Sequence, residues 1–141
     1  MSNLGRAAFG AVLASTAALT VVGAGFAGAG PDYHGTLAFS PSTGKVVGSV
    51  DQPSWVAADA VAIRDCGVYD CKILVRFSNG CAAAVRGADG AFAADWAATR
   101  EEAERLAVAK LGESAPPFPD LGSAVPQPAR VVLSVCTKNA S

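Results

Sequence analysis

From Tyr33 onward the chain runs in short alternations of apolar and polar residues, broken by glycine-bearing turns, and the pattern occurs twice. Thr36 to Val50 lies over Ala82 to Trp96, so that Gly44 falls on Gly90, Val46 on Phe92 and Val50 on Trp96. Each stretch reads as an apolar strand, a turn ending in glycine and a second strand, the glycine supplying a backbone free to take positive φ. A helical stretch follows in each half, Ser54–Arg64 over Arg100–Lys110. Thr99-Arg-Glu-Glu102 has the form of a capping box with acids in the first turn, and Ala103, Leu106, Ala107 and Leu111 fall at helical spacing. Ser54 after Pro53 starts the earlier helix, while Gly67 and Gly112 stand where helices end.

A third strand closes each half, Lys72–Phe77 and Arg130–Val135. Period-2 alternation turns Ile73, Val75 and Phe77 inward and Lys72 and Arg76 to water, with Val131, Leu133 and Val135 repeating the inward set. The predicted fold class is α+β: two strand–strand–helix–strand repeats, residues 33–78 and 81–136, forming one pseudo-two-fold domain with antiparallel sheet and two helices. Neither half could bury its sheet face alone. Ser78-Asn79-Gly80 reads as a short hairpin link between them. The halves differ by an insertion, residues 113–129, which holds five of the eight prolines and resists helix and ladder pairing through most of its length.

Composition adds a leader. Hydrophobic residues make up 51% of the chain, and eighteen of them crowd into Met1–Ala29, where Arg6 precedes an apolar run and Ala27-Gly28-Ala29 offers small residues for cleavage. That arrangement predicts a signal peptide, residues 1–29, and an exported domain, residues 30–141, secreted or held in the cell envelope with no stable membrane span after cleavage. Twenty-one of the later hydrophobic residues are alanine, so the core is built from small side chains. A net charge of −1 with 16% charged residues argues against nucleic acid as a partner. A monomer is expected.

In an oxidising compartment the four cysteines, all beyond the leader, read as two disulfides. Three connectivities are open. The repeat selects one: with the third strand antiparallel to the first, Cys81 at the start of one meets Cys136 at the end of the other, leaving Cys66 with Cys71. A zinc site is disfavoured because the spacings are wrong and His34 is the sole histidine.

Catalytic chemistry leaves little trace. No phosphate loop or dinucleotide fingerprint lies in the domain, no cofactor or metal is expected, and Glu101, Glu102 and Glu104 are better explained by helix capping and solubility than by acid–base work. His34, beside Asp32 and Tyr33, is the one side chain of the kind a hydrolytic triad needs as base. Trp55 and Trp96 read as edges of the core.

The stretches Tyr33-His-Gly-Thr-Leu-Ala-Phe-Ser-Pro-Ser-Thr-Gly44, Asp65-Cys-Gly-Val-Tyr-Asp-Cys-Lys-Ile-Leu-Val-Arg-Phe-Ser-Asn-Gly-Cys81 and Val135-Cys136 resemble the family called domain of unknown function 4189. The resemblance covers Tyr33 to Cys136 and implies a small exported bacterial protein, often disulfide-bonded, with no established enzymatic activity. That family often closes the later helix with a second Cys-Gly pair; Leu111-Gly112 and the proline-rich insertion stand there instead.

The expectation from these observations is an exported, disulfide-stabilised, non-enzymatic binding module that acts on a protein in the envelope or on a host. Candidate contact residues are Tyr69, inside the short disulfide loop, and Phe118 and Leu121 as apolar anchors in the insertion. The alternatives are an inhibitor or immunity-type protein that blocks an enzyme, and a weak hydrolase using His34.

Overall fold

The computed structural model describes residues 30–116 and 125–141; the expected leader and the candidate anchors Phe118 and Leu121 lie outside the described residues. In chain order the elements are β1 (His34–Phe39), β2 (Val46–Gln52), α1 (Trp55–Cys66), β3 (Lys72–Ser78), β4 (Cys81–Arg86), β5 (Phe92–Ala97), α2 (Arg100–Leu111), β6 (Glu113–Ser114), β7 (Gln127–Pro128) and β8 (Arg130–Cys136). They form two antiparallel three-stranded sheets, ordered β2-β1-β3 and β5-β4-β8, and a two-stranded ribbon of β6 and β7. The class is therefore α+β.

Local chemistry explains the element ends. The Ser54 hydroxyl accepts from the Ala57 amide at 3.2 Å and the Thr99 hydroxyl from the Glu102 amide at 3.4 Å, each satisfying a free donor of the first turn. The capping box is only half made, because the Glu102 carboxylate takes a hydrogen bond from Arg105 Nε at 2.9 Å instead. The β1–β2 and β4–β5 turns place Gly44 and Gly90 at φ of 70° and 84°, a region that side chains with a Cβ rarely enter.

The two sheets stack face to face, with α1 outside the first and α2 outside the second, giving four layers in the order helix, sheet, sheet, helix. Leu37 and Phe77 of the first sheet meet Ala82, Ala84 and Ala94 of the second across the middle. Cys81, Ala83 and Val85, on the other face of β4, pack on Ala103 and Ala107 of α2. The middle strand β4 is thus covered on both sides, and its Cys81-Ala-Ala-Ala-Val85 run is wholly buried. Alanines let the layers approach closely: Ala58 and Ala62 are the small buried residues of α1, as Ala103 and Ala107 are of α2.

Four expectations change. The alternation along β3 and β8 is interrupted: Leu37 pairs with Val75 but Ala38 with Ile73, skipping Leu74, and Ala84 pairs with Leu133 but Val85 with Val131, skipping Val132. Each skipped residue is a β-bulge, which exchanges the faces of everything beyond it. Ile73 therefore joins the α1 side rather than sharing a face with Val75 and Phe77, and Val131 parts from Leu133 and Val135. Secondly, Ser78-Asn79-Gly80 joins β3 to β4 across two different sheets and closes no hairpin ladder. Thirdly, both ends of the insertion do pair, Glu113 with Pro128 and Ser114 with Gln127. Finally, Trp55 and Trp96 are about half exposed, at 51% and 47%, and so are less buried than core edges would be.

One ion pair ties a helix to the first sheet. Asp59 of α1 accepts from Thr36 Oγ1 at 2.7 Å, and Arg76 Nε lies 2.9 and 3.1 Å from its two oxygens. Burial pushes the Asp59 carboxyl up, but the hydrogen bonds from Arg76 and Thr36, with the Arg76 charge, outweigh it and hold the group below its ordinary value of 3.8. A carboxyl lowered by folding stabilises the fold above its unfolded value, and that stabilisation is lost as pH falls through the lowered value. Asp59→Asn is expected to cost about 1 kcal/mol or less at neutral pH, since the pair is partly solvated. Its deficit against the wild type should vanish as the medium is acidified, which thermal melts down to about pH 2 would show.

Candidate functional site

The strands and turns sort the notable side chains to two ends of the sandwich. At one end lie the β1–β2 turn, the loop from α1 to β3, the β4–β5 turn and the start of β8; at the other lie His34, the link around Asn79 and the carboxyl-terminal residues.

The loop between α1 and β3 is the short disulfide loop singled out in the sequence. Cys66 and Cys71 are bonded, with Cα atoms 6.2 Å apart, and Cys81 and Cys136 are bonded as directly opposed partners of the β4–β8 ladder. Three further ties hold this loop. Gly67 caps α1 by donating its amide to the Ile63 carbonyl at 3.2 Å. Lys45 Nζ, from just beyond the β1–β2 turn, donates to the Asp65 and Cys66 carbonyls at 2.7 and 3.1 Å, a cation at a helix C-terminus. Asp70 accepts from Ser40 Oγ at 2.7 Å and from the Ser42 amide at 2.9 Å, and these hydrogen bonds hold its carboxyl below the usual carboxylate range. Tyr69 stands at the tip, 99% exposed. Tyr69 was legible as a loop-tip aromatic; Lys45 and Asp70 were not, because their partners are backbone carbonyls and the serines of a distant turn.

At the opposite end a recess of about 460 Å³ is lined by Pro31, Asp32, Tyr33, His34, Asp51 and Pro53 among others. Ser78 Oγ and His34 Nδ1 are 2.8 Å apart, and Trp55 meets the His34 ring edge-on at 5.1 Å between centroids. The flanking carboxylates are engaged elsewhere: Asp32 accepts from Asn79 Nδ2 at 2.8 Å and Asp51 from the Lys138 amide at 2.8 Å. Lys138 Nζ lies 4.2 Å from the centre of the Tyr33 ring, a cation–π contact. The β1–β3 ladder thus sets a serine beside the histidine, but no carboxylate is hydrogen-bonded to it among the described residues. Among those residues no three His, Cys, Asp or Glu side chains are grouped to hold a metal ion, and no helix is long and apolar enough to cross a membrane.

Comparison with known proteins places the chain in a family. The family model described as Domain of unknown function (DUF4189) matches residues 34–136. The chain is 36% identical over 81 residues to Protein Rv1269c and Protein MT1307 of Mycobacterium tuberculosis and to Protein Mb1300c of Mycobacterium bovis. That stretch covers 57% of this chain and 63% of each relative, so the chain spans somewhat less than two thirds of their length. No solved structure matches the chain.

Proposed function

The chain belongs to the DUF4189 family, and from that premise we propose that it is an exported, non-enzymatic binding module whose contact surface is centred on the disulfide loop bearing Tyr69. The leader at Met1–Ala29 and the two disulfides support export. The observation that carries the binding reading is the nearly complete exposure of Tyr69 on a loop fixed by a disulfide, by Lys45 and by Asp70. A large aromatic held outside every core has no folding role, and a pre-ordered loop loses little conformational entropy when a partner closes over it.

The domain is further read as two copies of one strand–strand–helix–strand unit about a pseudo-two-fold axis. In support, the sheets have equivalent strand orders, each helix ends in a glycine at positive φ, and each third strand carries its bulge at its third residue, Leu74 and Val132.

Tyr69→Ala is expected to leave the melting transition within about 0.5 kcal/mol of the wild type, as a substitution away from any packed feature does, and to abolish cross-linked capture of a partner from envelope or culture fractions. Equal capture by both proteins would overturn the assignment of the loop.

A further inference from the structure

Arg86 closes β4 and Arg130 opens β8, and the ladder sets the two directly opposite one another. Like charges opposed across adjacent antiparallel strands destabilise the pairing. Among the described residues no carboxylate forms an ion pair with either; the bridges there belong to Arg64, Arg76, Arg105 and Lys110. Arg86 lies 5.3 Å from the centre of the Phe92 ring, so its position is set by an aromatic face rather than by an acid. Gly44 and Gly90 flank its terminal nitrogens: a Cβ built on either would stand 3.5 or 3.8 Å away, at ordinary contact distance, so the guanidinium lies between the β1–β2 and β4–β5 turns. Carboxylates of the adjoining turns hydrogen-bond to other donors: Asp89 accepts from the Ala91 amide of its own turn at 3.0 Å, and Asp70 from Ser40 Oγ at 2.7 Å and the Ser42 amide at 2.9 Å, both of the β1–β2 turn.

Both arginines line a cleft of about 240 Å³, whose other walls are Gly87, Ala88, Gln127, Pro128 and Val132. Drug-sized ligands occupy roughly 300–1,000 Å³, so this volume suits one acid group rather than a nucleotide. A guanidinium offers five donors and no acceptor in a planar fork that matches carboxylate and phosphate oxygens. We propose that Arg86 and Arg130 form a binding site for a single oxyanion, a carboxylate or phosphate group held between the two forks. The bound anion turns an unfavourable cross-strand pair into two charge-assisted contacts.

The test follows the arginine Nε–Hε resonances of the full chain, disulfides intact and at low ionic strength, as inorganic phosphate or acetate is added. Saturable shifts at Arg86 and Arg130 in the millimolar range are expected in at least one arm, and the arm that saturates distinguishes phosphate from carboxylate. Arg86→Gln and Arg130→Gln should each weaken that binding about ten-fold or more, as loss of a charge-assisted contact implies, whereas Arg105→Gln on α2 leaves it unchanged. Arg130→Glu supplies a second reading. It sets a carboxylate opposite Arg86, so it should raise the melting temperature without added anion and erase the rise that the anion produces in the wild type. Absence of saturable shifts in both arms, shifts that persist undiminished in the glutamine variants, or a lowered melting temperature for Arg130→Glu would each overturn the site.

Discussion

Replacing Cys81 and Cys136 together by alanine is expected to lower the stability of the fold by about 4 kcal/mol, from loop closure alone. The bridge joins residues separated by 55 in sequence, so its removal frees a long loop in the unfolded chain. The two residues are ladder partners on the buried second sheet, and the bridge therefore fastens β8, which follows the insertion, to the middle strand β4. Against a total of roughly 5–15 kcal/mol for a domain, that loss decides whether the chain stays folded at body temperature. The short Cys66–Cys71 bridge, separated by 5, should contribute only about 2 kcal/mol by the same relation. Guanidinium unfolding of the two double variants measures both. The proposed order of importance fails if loss of the short bridge proves the costlier.

Phe77→Ala is expected to cost about 3–5 kcal/mol, the usual range for deleting a buried aromatic ring. Phe77 is the largest of the fully buried side chains, and it lies between the sheets directly over Gly35 of β1. A Cβ added at Gly35 would stand 2.3 Å from the tip of the ring, inside any permissible contact. Gly→Ala inside a strand ordinarily stabilises by about 0.5–1 kcal/mol, but Gly35→Ala should destabilise by about 1–3 kcal/mol through overpacking. The effect should reverse once the ring is gone, because the alanine methyl then fills space that Phe77 leaves. A double-mutant cycle with Phe77→Ala would show this as a coupling of about 1 kcal/mol or more; strictly additive effects would mean that the ring and Gly35 are not matched.

Both predictions rest on a layer arrangement that the residue pattern shows only in outline. The strands, turn glycines, helix caps and cysteine pairing are legible because each follows from neighbours a few residues apart or from a third strand laid antiparallel to a first. Ser54 and Thr99 announce helix starts, Gly44 and Gly90 announce turns, and Cys81 and Cys136 follow from placing a third strand antiparallel to a first. Tyr69 is legible too, as an aromatic between two bonded cysteines separated by 5 in sequence. The Ser78–His34 contact is not, since it joins the start of β1 to the end of β3.

The bulges at Leu74 and Val132 show where alternation stops being informative. Counting back from the Cys81–Cys136 partners, an uninterrupted ladder would set Arg86 opposite Val131; the skipped Val132 brings Arg130 there instead. Period 2 states that neighbours point to opposite faces, but it carries no mark for an extra residue that resets the count. The small side chains of β4 withhold a second fact in the same way. Alanine on both faces of a strand is compatible with water, a helix or another sheet on either side, so the sequence by itself determined the strands, the two helices and the disulfide staples. Only the tertiary structure decided that the sheets stack on one another between those helices. The physical reason is that burial depends on which surfaces meet, and the residue-to-residue pattern of one strand does not name its partner across the core.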